Sequence, residues 1–103
     1  MKVNVFCALG MSTSVIVRKI RIEAQEKNIG IEINAHSVRD IDLYAESSDL
    51  ILLGPQVSFQ QRKIQNKYPH IPVLVMQMRD YGIGDGGSVL EMILENYKKE
   101  GKK

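Results

Sequence analysis

Tryptophan is absent from this chain of 103 residues, cysteine occurs once, and aromatic residues make up only 6%. A single thiol excludes a disulfide framework and a thiolate metal cluster, and it suits a reducing cytoplasm. The two histidines, His36 and His70, are far apart and form no group with metal-ligand spacing. No apolar run approaches the roughly 20 residues that span a bilayer. The N-terminus does not read as a secretory signal, because Lys2 leads into a short strand and no long apolar stretch. Nowhere does Gly-Lys-Ser/Thr occur, which removes a Walker loop.

What remains is ordinary globular material, 44% hydrophobic and 25% charged, enough for one domain over residues 1–103. The net charge of +2 misleads. Residues 98–103 hold four lysines and one glutamate, a solvated tail expected to fray, and the rest is net −1. No basic stripe interleaves with aromatics, so nucleic acid is not an expected partner.

The apolar pattern alternates strand and helix four times. Lys2–Phe6 reads as a short buried strand. A helix follows from about Thr13 to Lys27, with Ile16, Val17, Ile20 and Ala24 inward. Ser12, Thr13 or Ser14 suits its N-cap, and Asn28 or Gly30 its end. Ile31–Ser37 alternates, with Glu32, Asn34 and His36 on a wet face, as an edge strand does. Ser37-Val38-Arg39-Asp40 opens a short helix to about Ala45. Leu50–Leu53 is wholly apolar and reads as a central strand. Pro55 begins a third helix to about Lys67, and Val73–Met76 is a fourth strand. Gln77–Gly87 carries four of the eight glycines and reads as a loop. A last helix runs from about Ser88 to Lys99, with Val89, Leu90, Ile93, Leu94 and Tyr97 inward.

Such alternation specifies an α/β fold, a four-stranded parallel sheet with helices on both faces. An edge-like second strand beside two apolar ones gives the order 2-1-3-4. Ligands bind where that order reverses, outside the carboxyl ends of the first and third strands. Cys7–Ser14 and Gly54–Gln56 follow those ends.

Cys7 therefore stands at the mouth of a loop, Ala8-Leu9-Gly10-Met11-Ser12-Thr13-Ser14, that leads into a helix. Unpaired amides and the positive end of the helix dipole favour an anion there. The same field favours thiolate over thiol and makes the sulfur nucleophilic. A phosphate-binding loop with Cys7 carrying the phosphoryl group is the reading these residues support. The bland alternative is a small core residue beside helix caps. Counting six residues on from Cys7 gives Thr13, where the Cys-x5-Arg loop of small tyrosine phosphatases has arginine. Without that guanidinium, transfer to water is poorly served, and a carrier is favoured over a hydrolase.

Three motifs carry a family resemblance over essentially the whole chain. Cys7-x-x-Gly10-Met11-Ser12-Thr13-Ser14, Leu52-Leu53-Gly54-Pro55-Gln56 and Tyr81-Gly82-x-x-Asp85-Gly86 fall in one order and spacing. That pattern resembles the lactose/cellobiose (diacetylchitobiose) EIIB components of the bacterial phosphoenolpyruvate:sugar phosphotransferase system. The expected fold likewise resembles the low-molecular-weight tyrosine phosphatases. The resemblance implies that Cys7 takes a phosphoryl group from phosphohistidine on an EIIA partner. Cys7 then passes it to a β-linked disaccharide held by the membrane EIIC permease. It implies no cofactor and no metal, and a cytoplasmic place with transient membrane contact through EIIC. Leu9 stands where that family usually has a small residue.

Gln56, Tyr81 and Asp85 are supporting candidates, each with a plainer reading: a helix start for Gln56, a glycine-rich turn for the other two. Asp80 or Asp85 would be the acid if the chain were a phosphatase. His36 is a remote charge partner, and His70 belongs at the other end of the sheet. A flavodoxin-like binding module or signalling receiver shares the architecture. A receiver, however, needs aspartate where Leu53-Gly54 stands.

Overall fold

In the computed structural model, residues 1–8 and 13–101 are described, with side chains through residue 96. The loop candidates Leu9, Gly10, Met11 and Ser12 therefore lie outside the described residues, as does the side chain of Tyr97. The first strand, β1 (Lys2–Cys7), is buried from Val3 onward, and alternate side chains feed opposite layers. Val3 and Val5 join Ile16, Val17, Ile20, Leu90 and Ile93 in one core. Phe6 joins Ile51, Leu53, Val57 and Ile64 in the other. A sheet covered on both faces needs this double burial.

The strand order is β2-β1-β3-β4, all parallel, with β2 (Glu32–Ser37), β3 (Leu50–Leu53) and β4 (Val73–Val75). The order expected from the apolar pattern holds. Cys7 pairs with Ser37 across β1 and β2, and Gly54 donates its N–H to the Phe6 carbonyl at 2.8 Å. Thus the ends of three strands converge beside the cysteine.

Helix α1 (Ser14–Glu26) buries the four positions its periodicity marks, Ile16, Val17, Ile20 and Ala24. Thr13 is at its N-cap position, yet its side chain makes no capping bond. Asn28, at φ 56°, turns the chain after the helix. That left-handed conformation is one asparagine tolerates. From the exposed face of α1, Arg21 donates to the Ile33 carbonyl. Glu32 donates inward to Met1, so the peptide groups of Ile33 face the open side of β2. The guanidinium therefore covers part of the sheet's longer free edge.

Between β2 and β3, Ser37 caps a 3-10 turn (Val38–Asp40) that leads into the one-turn α2 (Ile41–Tyr44). This segment corrects the expectation of a wet face on β2. His36 stacks on Tyr44 with ring centroids 3.7 Å apart, and Asn34 and His36 are half-buried. Behind them Asn4 is buried and fully partnered. Its Nδ2 donates to Ser48 Oγ at 2.6 Å, and its Oδ1 meets His36 Nε2 at 3.0 Å. After β3, a 3-10 segment (Pro55–Gln60) kinked at Val57 precedes α3 (Gln61–Lys67).

The stretch 77–87 is a further correction. It contains a helix, α4 (Met78–Ile83), where the glycine density suggested only loop. Gly84, at φ 69°, ends it with left-handed geometry, its N–H reaching back to Tyr81 O. Packing of Tyr81 on the core outweighs the poor propensity of Gly82. The final helix, α5 (Gly86–Gly101), starts two residues earlier than its pattern suggested. A Cβ on Gly86 would come within 2.6 Å of the Lys19 backbone, so α5 crosses α1 at contact distance only with glycine there.

Candidate functional site

Cys7 ends β1 at the carboxyl edge of the sheet, and its side chain turns toward the start of α1. Thr13 Oγ1 donates to Cys7 Sγ at 3.6 Å, an acceptable length for a bond to sulfur. Thr13 is itself 0% exposed. The hydroxyl expected to cap the helix thus faces the sulfur. A donor held against sulfur stabilises the thiolate form over the thiol. The positive end of α1 acts in the same direction.

Gly54 and Gln56 close the other side. A single point beside Gly54 lies 3.3 Å from Cys7 Cβ, 3.4 Å from Thr13 Cγ2 and 3.1 Å from Gln56 Oε1. Gln56, expected as a supporting residue, turns its exposed side chain back beside Gly54. Ala8 follows Cys7 on the surface, and its carbonyl accepts from Ser37 Oγ at 3.4 Å. Ser14 opens α1 and is exposed. Gly54 was expected beside the site, as the residue after the third strand, whereas Ser37 was read from the sequence only as a helix start. The strand register, which places Ser37 opposite Cys7, is the signal for Ser37.

One expectation is corrected. The sulfur was placed at a loop mouth, yet Cys7 is 0% exposed. Cys7 is buried.

Other candidates sit elsewhere. Asp85 bonds the Ser88 amide at 3.0 Å and the Ser88 hydroxyl at 2.9 Å, capping α5. The backbone bond from Ser88, then its hydroxyl bond, hold the Asp85 carboxyl below its ordinary range. Such a group is a poor general acid. Asp80, Asp85 and Ser88 line a cleft of about 380 Å³ that runs along α4 and α5 and does not include Cys7. Tyr81 packs against the core beneath α4. His36 faces the opposite layer from the sulfur, in the stack with Phe6 and Tyr44. His70 pairs with Glu46 at 2.8 Å, away from the site. Among the described residues, no group of three or more His, Cys, Asp or Glu is placed to hold a metal ion.

Comparison with known proteins gives one answer. The model of the family "PTS system, Lactose/Cellobiose specific IIB subunit" matches residues 2–92. A galactose-specific EIIB component of Lactococcus lactis subsp. cremoris is 40% identical over 82% of this chain and 84% of its own. The oligo-beta-mannoside-specific EIIB component of Bacillus subtilis is 34% identical over 90% and 92%. Among solved structures, the cellobiose-specific IIB protein of Borrelia burgdorferi superposes with a TM-score of 0.79. Its identity is 30%, over 96% of this chain and 93% of that one. The lactose-specific IIB domain of Streptococcus pneumoniae shares the fold at a TM-score of 0.82 and 23% identity, over 94% and 97%.

Proposed function

This chain belongs to the lactose/cellobiose-specific IIB family of the phosphotransferase system, a sugar phosphotransferase component, and we propose that Cys7 carries the phosphoryl group. Its sulfur attacks the phosphorus of a phosphohistidine on an EIIA partner. The S–P bond forms as the N–P bond breaks, and the imidazole leaves. A sugar hydroxyl then attacks the same phosphorus. The S–P bond breaks, the thiolate is regenerated, and the hydroxyl proton passes to a base outside this chain. In this reading Ala8, Leu9, Gly10, Met11, Ser12, Thr13 and Ser14 hold the phosphoryl oxygens, and Gln56 supports from the side.

The observation that carries the reading is the Thr13 hydroxyl on the Cys7 sulfur where α1 begins. Because Cys7 is buried, transfer requires docking to uncover it. The partners are EIIA and a membrane EIIC permease, and the place of work is the cytoplasmic face of the membrane. No described helix is long and apolar enough to cross the membrane itself.

The relatives are named for galactose, cellobiose and oligo-β-mannosides. We assign a β-linked disaccharide held by EIIC. The test is intact-mass spectrometry after exposure to phosphorylated EIIA. The expected result is one added phosphate that maps to Cys7 and is absent from Cys7→Ser. A phosphate on any other residue, or none, overturns the proposal.

A further inference from the structure

We propose that Ser37 is a positioning residue for the loop after Cys7, holding the Ala8 carbonyl on the β2 side where the chain leaves β1. The two parallel neighbours of β1 divide its carbonyls between them. Those of Lys2 and Phe6 accept from Asp49 and Gly54, on the β3 side, while that of Met1 accepts from Glu32, on the β2 side. A strand continued through Ala8 would aim the Ala8 carbonyl as Phe6 does, at β3. It accepts instead from Ser37 Oγ, at 3.4 Å. The carbonyl has swung to the opposite side of the strand, and Ser37 is the side chain that meets it.

Three features fit Ser37 to that task. It is the last residue paired in β2, opposite Cys7. It shares the face of Ile33 and Ala35, which pack in the same layer as Val3 and Val5 of β1. Its oxygen accepts the Arg39 N–H at 3.3 Å, so the cap of the 3-10 turn steadies the oxygen and leaves its single proton for Ala8. A peptide is planar and trans, so whatever holds a carbonyl also aims the N–H on the other edge of that peptide. A residue 29 positions along the chain thereby sets the first peptide of the loop. The contact is long for a hydroxyl donor, which places its worth at the low end for a hydrogen bond.

The kinetic part of this inference rests on the phosphocysteine reading; the spectroscopic part does not. The pair Ala-Leu occurs once in the chain, at Ala8-Leu9, so carbonyl-13C alanine with 15N leucine gives one carbonyl–amide correlation, that of Ala8. It is recorded in wild type, Ser37→Ala, Ser37→Gly and Ser37→Thr. Alanine and glycine both lose the hydroxyl, glycine at less cost to a cap, and threonine keeps it.

In Ser37→Ala and Ser37→Gly the Ala8 carbonyl resonance should move upfield, because a donor to it is lost. Phosphoryl acceptance at saturating phosphorylated EIIA should slow about threefold per folded molecule, with the half-saturating EIIA concentration unchanged. Ser37→Thr should match wild type in both carbonyl and rate. An unmoved carbonyl, an unchanged saturated rate, or a change confined to half-saturation overturns the proposal. So does any variant in which carbonyl and rate part company. Should Ser37→Ala fail to fold, Ser37→Gly decides, and failure of both makes Ser37 a residue of the fold alone and overturns the proposal. If the carbonyl moves as expected but no phosphate reaches Cys7 in wild type, the phosphocarrier reading fails and the hold of Ser37 on Ala8 stands.

Discussion

Thr13, six residues after Cys7, donates its hydroxyl to the Cys7 sulfur at 3.6 Å, where a Cys-x5-Arg loop would supply arginine. A hydroxyl is a neutral donor on one axis, while a guanidinium is a charged fork. The site can favour a thiolate but has less to offer a phosphate being attacked by water.

Two outcomes follow for Thr13. Thr13→Val keeps the shape and removes the donor, so phosphoryl acceptance should fall about tenfold. Stability should drop by about 1 kcal/mol, as expected for one buried hydrogen bond. Wild-type protein should show no sustained turnover of an aryl phosphate. Turnover that disappears in Cys7→Ala would instead make the chain a phosphatase.

Asp85 should matter to the fold and leave the chemistry alone. Removing its side chain uncaps α5, and Asp85→Ala should lower Tm by about 4–8 °C. Phosphoryl transfer per folded molecule should be unchanged. The carboxyl titrates below its unfolded value of 3.8, chiefly through the Ser88 backbone bond. Its contribution is therefore full above that value and is lost as pH falls through the folded pKa. Acid unfolding monitored by circular dichroism should lose this limb in the alanine variant, and an unaltered acid limb would show that the cap does not hold.

His36 should be neutral at pH 7. Burial lowers its pKa from 6.5, with Asp40 opposing and Lys2 assisting. Asn4 Nδ2 is committed to Ser48 and the Tyr44 carbonyl, so Asn4 Oδ1 must accept from a protonated His36 Nε2. Stability carried by neutral His36 is present above 6.5 and lost as pH falls through the lower folded value. A proton NMR titration that places His36 above 6.5 would contradict this. Asn4→Ala strands the buried Ser48 and half-buried His36 partners and should lose about 2 kcal/mol in urea unfolding.

Tyr68 should ionise late. Its hydroxyl donates to Asp42, and that bond, then burial, then the charge of Asp42 push its pKa up to about 12. The stability this bond brings is intact below pH 10 and is lost as pH rises through about 12. Absorbance at alkaline pH should show one late phase that disappears in Tyr68→Phe and moves down in Asp42→Asn. A late phase that persists in Tyr68→Phe belongs to another tyrosine.

Sheet order was legible because Leu50–Leu53 is apolar without interruption and Ile31–Ser37 alternates. Those are local patterns that report which strands are sandwiched. Cys7, Thr13 and Gln56 were likewise singled out by position, since each follows a strand end or opens a helix. What escaped depends on contacts between distant segments. Nothing near Met78–Ile83 in the chain announces that Tyr81 will pack inward and hold a helix together. The polar side of β2 looked wet because Tyr44, eight residues after His36, is what covers it. Strand order put Gly54 beside the cysteine loop, but its close approach to Thr13 and Cys7 shows only in the folded chain.

The guanidinium of Arg21 on the Ile33 carbonyl bears on how copies of this molecule tolerate one another. β2 is twice the length of β4, six residues against three, and is the rim on which a neighbouring chain would find most to zip against. With that carbonyl already engaged by a cation, an approaching strand meets a plug in place of a template. Strand addition at that rim would first have to displace the Arg21 side chain.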